Sequence, residues 1–175
     1  MNIRRVQGMA LIGAAVCLLL AFFGGDAAMA GTVGVFGLLL LIFGLPAVNS
    51  SQPTGSIGLI GVILIILAAV IALGFRVGVF GETGMADTLI TTSVLSGLAG
   101  RVITGWLTTK EKVFSQWVGW ALIASGELNL PGLLGVDSPT IAIVIMLMEA
   151  IALVGYGIHI FQKNQSCVKA KVGLQ

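Results

Sequence analysis

Four stretches of this chain, near residues 6–23, 32–48, 57–80 and 140–162, are apolar for close to the ~20 residues an α-helix needs to cross the hydrocarbon core of a bilayer. No other feature constrains the fold as tightly, because a water-soluble domain of 175 residues has no core large enough to hide four such runs. Hydrophobic residues make up 57% of the chain and charged residues 9%, with a mean hydropathy of +1.08, so the bilayer is the solvent this composition demands. The 25 glycines fall largely within apolar runs, where small residues let helix backbones approach. A net charge of +2, with no basic patch interleaved with aromatics, excludes nucleic acid as a partner.

Residues 81–139 are more polar and admit two readings, a soluble external loop or two further helices near 88–107 and 113–135. Charge decides between them. With six spans and a cytoplasmic N-terminus, Arg4, Arg5, Lys110, Lys112, Lys163, Lys169 and Lys171 all fall inside, while Asp26, Glu82, Asp87 and Asp137 fall outside. Four spans would strand Lys110 and Lys112 on the external face. The sequence thus predicts an all-α integral membrane bundle of six transmembrane helices in three hairpins, with both termini cytoplasmic. It forms one transmembrane domain over 1–175 that ends in a short cytoplasmic tail, 163–175. Arg4, Arg5, the following apolar run and the "AAMA" before Gly31 share the layout of a cleavable signal peptide, but the segment is read as the first span. Cys17 then lies in the membrane and Cys167 in the tail, too far apart to be joined by a disulfide.

Glycine-rich patterns in the spans point to packing. Ser93, Gly97, Gly100 and Thr104 share one helix surface, and Gly74-x-x-x-Gly78 has helix-pair spacing. Arg101 is expected to snorkel toward headgroups, and Trp106, Trp117 and Trp120 to anchor the cytoplasmic interface. His159 is the one histidine, which cannot supply both axial ligands of a bis-histidine haem, so a pigment- or haem-binding subunit is the third-ranked reading. No metal-ligand, nucleophile or phosphate-loop motif occurs, so the chain is expected to be no enzyme and to carry no metal or cofactor.

Two acids stand out against this background. Glu127 and Glu149 are each 11 residues from Ser138, which with Pro139 is the expected turn and helix start. In an antiparallel hairpin both would lie about 16 Å below that turn. An ionised, unpaired carboxylate at such depth costs several kcal/mol, so each is expected to be protonated, paired or turned to a wet interior. Two uses follow: a proton- or ion-handling site with Asn129 and Tyr156 as hydrogen-bonding neighbours, or a protonated hydrogen bond that fastens helices. Pro131 leaves the Glu127 carbonyl without its helical donor, adding polarity beside the first acid.

Phe114 with the W-x-G-W element of Trp117, Gly119 and Trp120 follows the basic turn "KEK" and opens a glycine- and leucine-rich hairpin. In this element and the three-hairpin layout the chain resembles small bacterial membrane proteins of the HdeD type, associated with acid resistance. That resemblance implies a six-helix architecture and carries over no catalytic residue. The expected role is a non-enzymatic component of a membrane complex or of membrane stress tolerance, with lipid and either other membrane subunits or further copies of the chain as partners. The alternative is a small proton- or ion-coupled transporter using Glu127 and Glu149.

Overall fold

Among the described residues helix is the only regular structure, as expected of apolar segments that must satisfy their own backbone hydrogen bonds. The computed structural model describes residues 3–24, 27–52, 55–80, 85–127 and 138–172, without the side chains of Ala28 and of 164–172. Within these, six helices follow one another: α1 Ile3–Phe23, α2 Ala27–Ser51, α3 Gly55–Arg76, α4 Ala86–Glu111, α5 Gln116–Glu127 and α6 Pro139–Val172. Four of them, α1, α2, α3 and α6, are long and apolar enough to cross a membrane.

Each helix packs on its neighbours in the chain, and α6 closes back on α1, so the six form a ring. Their directions alternate. Gly37 meets Ala14 while Gly44 meets Gln7, which makes α2 antiparallel to α1. Gly100 meets Gly61 while Ser93 bonds Ala68, which makes α4 antiparallel to α3. Gly119 meets Gly105 while Gly126 meets Arg101, which makes α5 antiparallel to α4. Long hydrophobic side chains such as Phe36, Ile63 and Val70 point outward from this ring, where lipid instead of water would receive them.

Glycines set the closest crossings. A methyl at Gly105 would lie 2.6 Å from the Gly119 carbonyl oxygen and vice versa, and one at Gly157 would lie 2.6 Å from that of Gly8. Backbone therefore touches backbone on both sides of the closure, between α4 and α5 and between α1 and α6. Gly119 of the W-x-G-W element belongs to the first of these contacts, while Phe114 is buried and its ring meets Tyr156 edge-on at 4.8 Å.

Several boundaries differ from the sequence reading. The glycines of Gly74-x-x-x-Gly78 terminate α3 instead of pairing helices. Gly78 adopts φ +77°, Val79 N donates to Gly74 O at 2.9 Å and Gly78 N to Phe75 O at 3.2 Å, the paired bonds of a Schellman cap. The continuation of α6 to Val172 makes most of the expected tail helical. α4 reaches Glu111, beyond the expected 107, before Lys112 turns it at φ 53°. α5 is described to Glu127, and the rest of its expected range to 135, with Asn129 and Pro131, lies outside the described residues.

Candidate functional site: a charged pair inside the ring

The inward face of α4 is polar along its length. Ser93, Gly97, Gly100, Arg101, Thr104 and Thr108 recur at three- and four-residue steps, and that spacing puts them on one side of the helix. On α6, Glu149 and Tyr156 are seven residues apart and share a face in the same way. The two faces meet. Arg101 Nη2 donates to Glu149 Oε1 at 2.8 Å, and the Thr108 and Tyr156 hydroxyls lie 2.6 Å apart. Each contact joins residues 48 apart in sequence, so α4 and α6 run parallel and in register.

The ion pair is nearly enclosed, with side chains 18% exposed for Arg101 and 11% for Glu149. Gly97, one turn before Arg101, makes room for it, since a methyl there would come within 2.7 Å of Nη1. Arg101 Nε is buried with no hydrogen-bond partner, as is Thr104 Oγ1 one turn on. Beside the pair lies a cavity of about 210 Å³, walled by Leu18 of α1, Leu41 of α2 and Ile65 of α3, with Ser93, Arg101 and Glu149 as its polar side.

Two turns beyond Arg101 toward the end of α4, a second polar cluster is fully satisfied. Thr108 Oγ1 donates to Thr104 O at 2.8 Å and accepts from Gln52 Nε2 at 2.7 Å. Its one proton is committed to that carbonyl, so the short contact with Tyr156 is a donation from the tyrosine hydroxyl. Three helices thereby meet at one threonine just past the end of α2. The tyrosine ring is held by Phe114, whose other neighbour is the His159 imidazole at 4.7 Å between centroids.

The structure rearranges the expected site. Glu149 is buried, but its partner is Arg101 and not a second acid. Glu127 follows Gly126, which packs on Arg101 Cβ, so it reaches a similar depth, yet its side chain is exposed. Tyr156 bonds Thr108 instead of a glutamate, and Asn129 is outside the described residues. Arg101, expected to snorkel, instead pairs with Glu149, ten residues of α4, about 15 Å, before the helix end at Glu111. Trp106, Trp117 and Trp120 are all at least half exposed on the outside of the ring, and Lys110 lies 5.0 Å from the Trp106 ring centre. The signal that would have found the pair is simple charge balance, because 88–107 contains one cation, Arg101, and 140–162 one anion, Glu149.

These features define an apolar bundle of alternating helices with an opposite-charge pair and a cavity in its interior. Compared with known proteins, the chain matches no family model, no curated protein and no solved structure.

Proposed function

We propose that this chain is a six-span integral membrane protein, with both termini cytoplasmic, that carries a small solute across the bilayer coupled to protons. It makes or breaks no covalent bond in that solute. The observation that carries the reading is the buried Arg101–Glu149 pair opening onto a cavity instead of onto packed side chains. A pair that only fastens helices is best served by close packing, whereas charged groups in a polar-sided cavity attract water and ions. Glu149 supplies the group that can take and release a proton. The parallel run of α4 and α6, with α5 antiparallel to α4, supports the topology. The opposite-charge pair replaces the two-glutamate site as the coupling element.

Reconstitution into liposomes that hold a pH-sensitive dye tests this. Gradients of small anions, cations and neutral solutes are applied in turn, and at least one class is expected to drive proton movement absent from protein-free vesicles. Glu149→Gln, which cannot titrate, should abolish that movement. If no class moves protons through the native chain, the carrier reading fails and a purely structural or accessory role takes its place.

A further inference from the structure

We infer that the cavity beside Arg101 binds a small monocarboxylate that enters together with a proton taken up by Glu149. The inference rests on the carrier reading and names its solute. Its basis is charge asymmetry within the pair. An uncompensated charge in a low-dielectric interior is costly, so whatever enters must leave the site near neutral. A guanidinium has no proton it can give up to offset an added positive charge, so an incoming cation has no way to be balanced. The carboxylate of Glu149 can be neutralised by one proton. An anion is therefore the one charged ligand this pair can accept, and it must arrive with that proton.

Shape and hydrogen bonding narrow the class further. The planar guanidinium fork matches a carboxylate, and Nε, buried without a partner, offers a donor the pair leaves unused. With one arginine on the cavity the site suits a single negative charge. A cavity of about 210 Å³ has room for several waters or for a ligand of a few carbons such as butyrate. The Leu18, Leu41 and Ile65 walls would receive its alkyl tail. Of the titratable or charged groups on the helices packed around Glu149, Arg101 alone touches it. Arg4, Arg5 and Cys17 lie on α1, Glu127 is exposed on α5, α2 has none, and Tyr156, His159 and Lys163 lie toward the far end of α6. Lys110 and Glu111 lie at the end of α4, and Asp87 in its first turn.

The test is calorimetric titration of the full chain in lipid nanodiscs with butyrate, between about pH 5.5 and 7.5, where the ligand's own carboxyl is ionised. One proton per anion tightens binding by up to about tenfold for each unit of falling pH. Butyramide and butylammonium, neutral and cationic analogues, should bind at least about tenfold more weakly than butyrate at the acid end. Glu149→Gln is permanently uncharged and should bind butyrate equally at both ends of the range. Arg101→Gln should lose binding throughout while keeping its helicity and a monodisperse elution profile. Should that variant fail to fold, Gly97→Ala stands in, since its methyl displaces Nη1 and should weaken binding in a folded chain. Butyrate binding that ignores pH in the native chain, tighter binding of either analogue, or no binding of any of the three overturns the inference. Proton movement driven by another solute in the liposome experiment would then leave the carrier reading standing.

Discussion

At the scale of single residues, the pair and the threonine cluster make opposite demands. Removing one member of Arg101–Glu149 leaves the other charge buried and alone, which costs about 3–5 kcal/mol, whereas replacing both by apolar residues of similar volume is often neutral or better. Glu149→Leu and Arg101→Met should each lower thermal stability sharply in nanodiscs, and the double variant should recover most of the loss. Additive losses would mean that the two side chains do not hold one another. Thr108 is different because three partners converge on one hydroxyl. Thr108→Val strands the Tyr156 hydroxyl and the Gln52 amide and should cost about 1–3 kcal/mol, while Thr108→Ser keeps all three bonds and should cost much less. A larger loss for serine than for valine would assign the effect to the methyl group and not to the hydroxyl.

At the scale of helices, close approach is concentrated where glycine faces glycine. Gly105→Ala pushes a methyl to 2.6 Å from a backbone oxygen, which no side-chain rotation relieves, so α4 and α5 must separate at a cost of about 1–3 kcal/mol. A methyl at Gly31 in α2 would meet nothing within 4 Å, and Gly31→Ala should be neutral or stabilising by up to about 1 kcal/mol through helix propensity alone. Unfolding of the two variants side by side separates crowding from propensity; equal effects would show that the α4–α5 crossing yields freely. The existence of α1, α2, α3 and α6 was legible in the sequence because each run is apolar all round. α4 was legible mainly through the charges at its end, since its polar residues face inward and lower its hydropathy without making it a surface helix. The roles of its glycines and those of α3 split. Gly97 and Gly100 pack as their spacing suggests, but Gly74 and Gly78 cap a helix despite their helix-pair spacing, because a four-residue step does not record whether the chain continues helically after it. The Arg101–Glu149 contact was hidden for a related reason: periodicity gives the face of each helix, and which faces meet across a ring depends on closure between α1 and α6, a contact of long sequence separation.

At the scale of the whole molecule, the alternating ring and the charge distribution are what the proposed topology rests on. Helices α2, α4 and α6 end on the same side as the start of α1, and on that side lie Arg4, Arg5, Lys110, Lys112 and Lys163. Basic residues gather on the cytoplasmic face of membrane proteins, so that end of the ring should face the cytoplasm. Two positions test different parts of this. With a cytoplasmic N-terminus, Cys167, near the end of α6, would be cytoplasmic whether the chain crosses four times or six. Residue 112, at the turn between α4 and α5, would be cytoplasmic only with six. In a Cys17→Ala background, which removes the half-buried thiol of α1, intact cells treated with a membrane-impermeant maleimide should leave Cys167 unlabelled until the membrane is opened. A Lys112→Cys variant that also carries Cys167→Ala should behave the same way. Labelling of Cys167 from outside would reverse the orientation of the whole ring. Labelling of position 112 alone would place α4 and α5 outside the bilayer, and the Arg101–Glu149 pair could then not sit within it, since α4 carries the arginine.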